Sequence, residues 1–261
     1  MDFGLNGKRA LVGGASKGLG LACAQALAAE GCAVALVSRS RANLDAAVKT
    51  FPTDATLLPI EADLSTEAGV ASCLHAAQAW GPIDILVNNT GGPPPGGTME
   101  HDDKCWQKAY ESLLLYVRHM CETLVPPMRE RRWGRVVTIT SKTVKEPAPN
   151  LVLSNVFRSA VTAYLKGLSM EVAADGVTVN TVLPGAFRTE RYEELLDAAV
   201  ARTGRDKEEI AAEIVAELPM HRFQRTEELG ALVAFLASDQ ASGINGTAIP
   251  VDGGSIKGLF G

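Results

Sequence analysis

Hydrophobic positions along the chain follow two spacings that alternate with one another. Short runs that are nearly continuous in apolar, often β-branched residues are each followed by a longer Ala- and Leu-rich stretch with helical spacing. Continuous apolar runs are typical of strands covered on both faces. The predicted strands are residues 9–12, 33–37, 56–60, 83–87, 135–140, 178–182 and 247–251. The predicted helices are residues 19–29, 41–49, 66–80, 103–125, 150–174, 192–202, 207–217 and 227–237.

This alternation predicts βαβ units, and therefore an α/β fold with a parallel sheet and helices on both faces. No repeat, linker or change in composition divides the chain, so residues 1–261 are expected to form one domain. Two segments depart from the alternation. Residues 91–97 (GGPPPGG) follow the fourth strand and are interpreted as a stiff wall beside a ligand rather than a simple connector. Residues 187–223 hold two short charged helices and are interpreted as a mobile substrate lid.

The composition of the chain limits which classes of molecule are expected to bind it. Of 261 residues, 25 are Lys or Arg and 30 are Asp or Glu, which gives a net charge of −5 and disfavours nucleic acid or an anionic membrane as a partner. The five cysteines form no C-x-x-C pair, so we expect a reducing, cytoplasmic setting with no disulfide framework and no metal site. No signal-peptide core and no apolar stretch of about 20 residues is present.

A glycine-rich turn follows the first predicted strand and precedes the first helix. It reads Gly13-Gly14-Ala15-Ser16-Lys17-Gly18-Leu19-Gly20. Glycines at such a turn let the backbone approach a pyrophosphate, and the helix N-terminus supplies unpaired N–H groups and a positive dipole end. Because the turn lies between a strand and a helix, it predicts a dinucleotide site rather than a tight turn alone.

The spacing of these glycines resembles the short-chain dehydrogenase/reductase family, whose motif T-G-x-x-x-G-x-G is matched at Gly14, Gly18 and Gly20, with Gly13 at the threonine position. Further family motifs follow in order at Asp63-Leu64, Asn88-Asn89-Thr90-Gly91, Pro184-Gly185 with Thr189, and Asp252-Gly253-Gly254. The resemblance spans essentially the whole chain, and it is nearest to the 3-oxoacyl-(acyl carrier protein) reductase-like branch. It implies a single doubly wound, Rossmann-type domain with a seven-stranded parallel sheet and one cofactor across its carboxyl edge.

The second strand is followed by residues that indicate which cofactor binds. Ser38 and Arg39 stand where an acidic residue would favour NAD, and they can hold the 2′-phosphate of NADP(H), with Lys17 in reach of the same phosphate. NADP(H) is therefore expected rather than NAD. The expected cofactor-binding residues are Gly14, Ser16, Lys17, Gly18, Leu19, Gly20, Ser38, Arg39, Asp63, Leu64, Asn89, Thr90, Gly91, Arg158, Pro184, Gly185 and Thr189.

The catalytic positions depart from the family pattern. The family uses a tyrosine as acid and base, a lysine four residues later, and a serine thirteen residues before the tyrosine. Ser141 fits the serine, but thirteen residues on is Ser154 and four further is Arg158. The family's asparagine is also missing around Leu113. Arg158 can hold the ribose but cannot release a proton, and Ser154 is a poor proton donor by itself, or merely a small residue that makes room.

Three interpretations follow. The first is an atypical NADP(H)-dependent oxidoreductase that interconverts a carbonyl and a hydroxyl group on a small or acyl-type substrate. Its proton would come from water, from the substrate, or from Lys142, Lys145 or Tyr192. The second is a dehydratase, isomerase or enone reductase, and the third is a dinucleotide-binding protein without turnover. The resemblance further implies a homodimer or homotetramer built on the helices after the fourth and fifth strands, with apolar residues at 113–117, Val161, Leu165 and Leu168 and at the terminus 256–261.

Overall fold

Strands and helices alternate along the chain, as the apolar spacing predicts. The structure is a computed structural model that describes residues 2–259. Its strands are β1 Arg9–Val12, β2 Ala33–Ser38, β3 Leu57–Glu61, β4 Ile85–Asn88, β5 Gly134–Ile139, β6 Val177–Pro184 and β7 Ala248–Val251. Its helices are α1 Gly18–Ala29, α2 Arg41–Val48, α3 Glu67–Trp80, α4 Asp103–Tyr110, α5 Tyr116–Glu130, α6 Val152–Val172, α7 Glu190–Thr203, α8 Lys207–Glu217 and α9 Thr226–Ala237.

The strands form one parallel sheet. Within residues 2–259 its order is β3-β2-β1-β4-β5-β6-β7, and each neighbouring pair is parallel. The chain winds outward from β1 to one edge and then returns to add β4 on the other side of β1. The predicted seven-stranded, doubly wound sheet in a single α/β domain is therefore confirmed.

The core lies in two layers, one on each face of the sheet. Successive strand residues point to opposite faces, so Ala10 and Val12 of β1 pack with α1, α2 and α9, whereas Leu11 packs with α3, α5 and α6. All three residues are fully buried. Burying a Val or Leu side chain contributes about 1.5–3 kcal/mol, which explains why both faces of these strands are apolar.

The stretch predicted as one helix over 103–125 differs in the structure. It consists of α4, a π-helical turn at Glu111–Leu115, and α5, which continues through Pro126 and Pro127 to Glu130. The π turn leaves the Ser112 carbonyl oxygen free to accept a hydrogen bond of 3.0 Å from the Thr90 hydroxyl. The two prolines stand in the last turns of α5, where each removes one backbone N–H donor, and the helix nevertheless continues through them to Glu130.

Most of the apolar residues expected at a subunit interface lie inside the chain's own core. Leu113, Val117, Val161 and Leu165 are each 1% exposed, so these four offer no surface to a second subunit, and their assignment to an interface is wrong. Leu114, Leu115 and Leu168 are partly exposed, and the assembly itself stays a prediction. At the terminus, Leu259 is 92% exposed, whereas 260 and 261 lie outside the described residues. None of the helices in the described range has the length and apolar character needed to span a bilayer.

Candidate functional site

The candidate site lies at the point of the sheet where the strand order reverses. β1 and β4 are neighbours, but the chains that leave their carboxyl ends go in opposite directions, which opens a crevice at that edge of the sheet. The first residue after β1, Gly13, donates its backbone N–H to the Val87 carbonyl at 2.9 Å and so starts the glycine loop directly beside β4.

The glycine loop is built so that only glycine fits at its key positions. A Cβ atom on Gly13 would lie 2.7 Å from the Asn89 backbone oxygen, and one on Gly14 would lie 2.7 Å from the Asn89 side-chain nitrogen. Gly14 and Gly18 both have φ of +57°, which other residues rarely adopt. Asn89 donates its side-chain N–H to the Gly13 carbonyl at 3.2 Å, which holds the loop against β4.

The N-terminus of α1 faces out of this loop. Its N-cap residue is Lys17, whose side chain makes no capping hydrogen bond to the described residues, so the first N–H groups of α1 are available to an anion. Gly18 opens the helix, followed by Leu19, and Gly20 packs its Cα against the Gly14 carbonyl so closely that a Cβ atom could not be accommodated. These features fit the phosphates of a dinucleotide.

The end of β2 carries two hydroxyl groups and a cation. Ser16 and Ser38 place their hydroxyl oxygens 2.9 Å apart, and Arg39 next to them is exposed. These groups fit a 2′-phosphate. Lys17, from the same loop, forms an exposed ion pair with Glu190 in the first turn of α7, so this carboxylate competes with a phosphate for the ammonium group.

Asp63 and Leu64 follow β3 on the same edge. The Asp63 carboxylate accepts hydrogen bonds from the Ser65 backbone N–H at 3.0 Å and from its hydroxyl at 2.7 Å. Partial burial raises the pKa of Asp63, but these hydrogen bonds and the positive charges of Arg39 and Lys108 outweigh it and hold the pKa below its usual value. Leu64 is 6% exposed and packs under the glycine loop near Gly13.

The GGPPPGG segment at 91–97 is held by hydrogen bonds on two sides. The Gly96 backbone N–H donates to the Asn150 carbonyl at 2.7 Å, just before α6, and Arg191 of α7 donates to the Pro93 carbonyl. Thr90, immediately before the segment, donates to the π turn. The segment therefore lies between the start of α6 and the start of α7, at the carboxyl edge where Gly91 leaves β4.

The end of β6 meets the closing D-G-G motif. A Cβ atom on Gly185 would lie 2.6 Å from the Asp252 Cα atom, so the backbone after Pro184 passes directly against that motif. Asp252 is 7% exposed and accepts hydrogen bonds from the Gly254 and Ile256 backbone N–H groups at 3.1 and 2.7 Å. The motif is thus a turn whose buried Asp252 supports the end of β6.

Residues 187–223 contain α7 and α8, as the sequence predicts. Thr189 caps α7 by accepting a hydrogen bond of 3.4 Å from the Tyr192 backbone N–H, and its methyl group lies close to Gly18. The residues that flank the segment on either side are joined by a hydrogen bond, because the Gln224 backbone N–H donates to the Ala186 carbonyl at 3.0 Å. The first turn of α7 therefore stands directly over the glycine loop.

Ser141, Ser154 and Arg158 all lie near the carboxyl end of β5. Ser141 is two residues past the strand, is partly buried, and accepts a hydrogen bond of 3.2 Å from the Thr143 backbone N–H. Ser154 is in the first turn of α6, and its hydroxyl has no hydrogen-bond partner within residues 2–259. Arg158, one turn later, donates to the Ile139 carbonyl at 2.7 Å.

Arg158 is a buried cation, 9% exposed, that forms no ion pair within the described part of the chain. Burial is the main reason that its pKa falls to about 10; Tyr116 acts in the opposite direction, and the positive charge of Arg191 adds a smaller part to the lowering. At neutral pH the guanidinium is still protonated, so it supplies positive charge and hydrogen bonds but no proton.

Two of the proposed proton donors have defined surroundings. Lys142 donates to the Ser255 hydroxyl at 3.2 Å. Tyr192 packs edge-on against Phe223, with ring centroids 4.8 Å apart, and its buried hydroxyl has no hydrogen-bond partner within residues 2–259. Burial raises the pKa of Tyr192 to about 12, so its hydroxyl is protonated at neutral pH. Lys145 follows the 3₁₀ turn after Ser141.

Sequence reasoning missed two residues beside this cluster. The sequence places Tyr116 in an apolar run; in the structure it is 3% exposed, lies near Arg158, and has a pKa raised by burial. The sequence places Arg191 in the charged segment 187–223 without a specific role. A signal for it exists in the sequence, because a cation in the first turn of a helix opposes the helix dipole and is therefore unexpected without a function.

Comparisons with known proteins agree with this arrangement. A family model described as enoyl-(acyl carrier protein) reductase matches residues 14–255. The oxidoreductase YvaG of Bacillus subtilis (strain 168) is 32% identical over 267 residues, with all of both chains covered. The 3-oxoacyl-[acyl-carrier-protein] reductase FabG of Escherichia coli (strain K12) is 32% identical over 255 residues, which cover 97% of this chain and 98% of that protein.

A solved structure gives the same result in three dimensions. The crystal structure of L-sorbose reductase from Gluconobacter frateurii, complexed with NADPH and L-sorbose, superimposes with a TM-score of 0.93 at 32% identity, covering 99% of this chain and 100% of that one. The similarity therefore extends over the sheet, the glycine loop and the segment 187–223 together.

Proposed function

This chain belongs to the short-chain dehydrogenase/reductase family, and on that premise we propose that it is an NADP(H)-dependent oxidoreductase that interconverts a carbonyl and a hydroxyl group on a small or acyl-type substrate. The observation that carries the proposal is the position of Arg158, which binds the Ile139 carbonyl at the carboxyl end of β5. It keeps a cation next to the hydroxyl-bearing residues Ser141 and Ser154, at the same sheet edge as the glycine loop.

NADP(H) is the cofactor that the end of β2 favours. Ser16, Ser38 and Arg39 offer two hydroxyl groups and a guanidinium to a 2′-phosphate, and no carboxylate stands at the end of the strand to bind an unmodified ribose. The L-sorbose reductase to which this chain is similar was solved with NADPH. The glycine loop and Thr189 would hold the pyrophosphate, Asp63 and Leu64 the adenine, and Asn89, Thr90, Gly91, Pro184 and Gly185 the nicotinamide half.

When bound, NADPH supplies the hydride that the carbonyl carbon receives. The hydroxyls of Ser141 and Ser154 are proposed to donate hydrogen bonds to the carbonyl oxygen and so to orient it. Arg158, beside them, stabilises the negative charge that develops on that oxygen and can hold the nicotinamide ribose. None of these three groups is acidic enough to protonate the oxygen at neutral pH, so the proton comes from water, from the substrate or from another side chain.

Binding and turnover are tested together on the purified protein. NADPH and NADH are titrated by fluorescence, and NADPH consumption is followed with 3-oxoacyl thioesters, aldehydes, ketones, quinones and activated enones. We expect tighter binding of NADPH than of NADH, turnover of at least one carbonyl class, and a fall of about 100-fold in kcat for Arg158→Met. No binding of either nucleotide would overturn the proposal at its foundation.

A second candidate is reduction of a carbon–carbon double bond conjugated to a carbonyl. The observation that favours it is the combination of two serine residues and a cation without an adjacent acid, because such a site stabilises an enolate oxygen that does not itself need a proton. The matching family model also carries an enoyl reductase description. The turnover assay with activated enones distinguishes the two reactions, because reduction of the double bond gives the saturated ketone and reduction of the carbonyl gives the allylic alcohol. Binding without turnover of any substrate class would point to a dinucleotide-binding protein.

The segment 187–223 is proposed to act as the substrate lid. The first turn of α7 is attached to the glycine loop by the Lys17–Glu190 ion pair. It is attached to segment 91–97 by the hydrogen bond from Arg191 to the Pro93 carbonyl. Hydrogen exchange measured with and without NADPH tests the idea: amides of α7 and α8 should change protection while those of β4 and β5 stay constant.

A homodimer or homotetramer is proposed on the outer face of α6. Val156 and Met170 are 43% and 68% exposed, and they lie fourteen residues apart, which places them on one side of the helix. Light scattering at micromolar concentration should give a mass above 27.5 kDa, and a charged residue at position 170 should lower it. A monomeric wild-type protein would refute the proposal.

A further inference from the structure

The residue that follows Ser141 carries an ammonium group, and one turn fixes the backbone of both residues. Lys142 opens a 3₁₀ turn, Lys142–Val144, whose N-cap is Ser141. The Lys142 carbonyl oxygen accepts the Lys145 and Glu146 backbone N–H groups at 3.0 and 3.1 Å. The Val144 N–H donates to the Ser141 carbonyl at 3.1 Å. Ser141 and Lys142 are therefore held rigidly together at the carboxyl end of β5.

The Lys142 side chain leaves this turn and reaches the segment that follows β7. Its Nζ atom donates to the Ser255 hydroxyl oxygen at 3.2 Å, which uses one of the three N–H donors of an ammonium group. The turn is joined to the same segment a second time, because the Glu146 carboxylate accepts the Lys257 backbone N–H at 2.7 Å. Lys142 is half-buried, so it is held in place and still contacts solvent.

The Ser255 hydroxyl links this ammonium group to a buried carboxylate. Ser255 donates to Asp252 Oδ2 at 3.1 Å, and Asp252 is 7% exposed and forms no ion pair within residues 2–259. An ammonium group only donates and an ionised carboxylate only accepts, so the hydroxyl accepts from Lys142 and donates to Asp252. The direction of both hydrogen bonds is therefore fixed, and Asp252 turns the Ser255 oxygen towards the ammonium group.

These three groups connect the proposed position of the carbonyl to that of the nicotinamide. Asp252 packs against the backbone after β6, since a Cβ atom on Gly185 would lie 2.8 Å from the Asp252 Cβ atom. Pro184 and Gly185 are the residues proposed to contact the nicotinamide half. At the other end, Lys142 adjoins Ser141, which is proposed to bind the carbonyl oxygen. The ammonium group is therefore attached to both sides of the place where the carbonyl is reduced.

We infer that Lys142 donates the proton to the substrate oxygen, and that Ser255, oriented by Asp252, is the positioning residue that directs its ammonium group. Once the carbonyl carbon has received the hydride that bound NADPH supplies, the electrons of the C=O π bond reside on the oxygen. A Lys142 N–H bond then breaks and an O–H bond forms, which gives the alcohol and a neutral amine. The half-buried amine recovers its proton from water. This inference rests on the proposed function and supplies the acid that it lacks.

Tyr192 is less suited to this role. Its hydroxyl is buried, has no hydrogen-bond partner within the described range, and has a pKa that burial raises to about 12. A proton donor has to recover its proton after each turnover, and a hydroxyl without solvent contact or partner has no route for that proton. Lys145 ends the same turn as Lys142 and is therefore the comparison that the experiment includes.

Replacement of Lys142 by arginine separates a proton donor from a positive charge. Arginine keeps the charge and N–H donors for Ser255, but its guanidinium does not release a proton at neutral pH. Hydride transfer is followed in a single turnover with NADPH and the carbonyl compound of the panel that reacts fastest. Lys142→Arg and Lys142→Ala should both slow this step by at least about 100-fold and leave the Kd of NADPH within about twofold. Lys49→Ala is the matched control, because Lys49 is exposed at the end of α2, and it should change neither quantity.

Chemical rescue and a conservative variant test the two roles separately. Ethylamine added to Lys142→Ala should raise the rate at least about tenfold, because a free ammonium ion can supply the missing proton. Ser255→Ala should slow the step about tenfold, whereas Ser255→Thr, which keeps the hydroxyl, should stay within about threefold of the wild-type rate.

A binding readout does not depend on turnover. The ¹⁵N resonances of the lysine ammonium groups are recorded for the NADP⁺-saturated protein, and Lys142→Arg identifies the Lys142 resonance. Ser255→Ala should shift it. A carbonyl compound should also shift it, whereas an analogue with a methylene group in place of that carbonyl should not; ethyl acetoacetate and ethyl butanoate are one such pair.

The outcomes separate this inference from the proposed function. A near wild-type rate in Lys142→Arg, a loss of rate confined to Lys145→Arg, or a Lys142 resonance insensitive to every carbonyl compound would contradict the inference and leave the oxidoreductase standing. A wild-type protein that reduces no carbonyl compound would overturn the proposed function. A carbonyl-dependent shift of the Lys142 resonance in such a protein would still support a hydrogen bond from Lys142 to the ligand oxygen.

Discussion

Removing the positive charge of Arg158 should stabilise the free protein while it stops the chemistry. The guanidinium is 9% exposed, forms no ion pair within the described residues, and has a pKa that burial lowers to about 10 from a usual value above 12. At about 1.4 kcal/mol for each pH unit, this difference corresponds to a cost of about 3 kcal/mol for the charged form in the fold. The cost is present in full below pH 10 and fades as the pH rises above that value.

Arg158→Met keeps a long side chain at the site but leaves the Ile139 carbonyl without its 2.7 Å hydrogen bond, which costs about 1–2 kcal/mol. The net expectation is a gain of about 1–2 kcal/mol in the free energy of unfolding at pH 7.5. Urea unfolding followed by circular dichroism, without nucleotide, measures it. NADPH-dependent turnover of the same variant should fall by about 100-fold or more.

Arg202→Met controls for the change of residue type, because Arg202 is exposed in the last turn of α7 and its replacement should change the free energy of unfolding by less than about 0.5 kcal/mol. A loss of more than 1 kcal/mol in Arg158→Met would refute the reasoning, since it would mean that the fold compensates this charge and that Arg158 is a structural residue.

Three further changes probe the cofactor loop and the lid. Gly14→Ala forces a side chain into φ of +57° and to within 2.7 Å of the Asn89 amide, so the Kd of NADPH measured by fluorescence should rise by at least about tenfold, and an unchanged Kd would contradict the role of the loop. Glu190→Gln releases Lys17 from its ion pair and should lower the Kd of NADPH about two- to fivefold; a higher Kd would show that Lys17 does not serve the cofactor. Tyr192→Phe removes a buried hydroxyl without a partner and should raise the free energy of unfolding by about 1 kcal/mol in urea, whereas a tenfold loss of kcat would identify Tyr192 as the proton donor.

Matched controls exist for the first two of these variants. Gly7 also has a positive φ, of 77°, but a Cβ atom there meets nothing within 4 Å, so Gly7→Ala should leave the Kd of NADPH unchanged. Glu217 is exposed at the end of α8 and, within the described range, forms no ion pair, so Glu217→Gln should not tighten binding.

Features that depend on neighbouring residues could be predicted from the sequence. The strands follow from continuous apolar runs, and the glycine loop follows from a strand, a glycine cluster and a helix in succession. The left-handed backbone at Gly14 and Gly18 is the physical reason for glycine at those positions. The doubly wound order of the sheet was expected only from the family resemblance, because periodicity alone does not say which strands become neighbours.

Features that depend on distant parts of the chain could not be predicted in the same way. Lys17 pairs with Glu190, and Arg191 binds the Pro93 carbonyl, across 173 and 98 positions respectively. Apolar spacing shows that Leu113 is buried but not against what, so an interface and a core look alike in the sequence. The π turn at Glu111–Leu115 was missed because the residues in it have ordinary helical propensities.

The Lys17–Glu190 ion pair joins the loop that is proposed to bind the nucleotide to the segment that is proposed to cover the substrate. A ligand that breaks the Lys17–Glu190 ion pair removes one of the contacts that hold α7 in place. Conversely, a ligand that moves α7 changes the free energy needed for Lys17 to contact the nucleotide. Thermodynamic reciprocity then requires each ligand to alter the affinity for the other by the same factor. Because the pair is exposed, that factor is only a few-fold, so the two sites communicate weakly and the order in which the ligands bind is a preference and not a requirement.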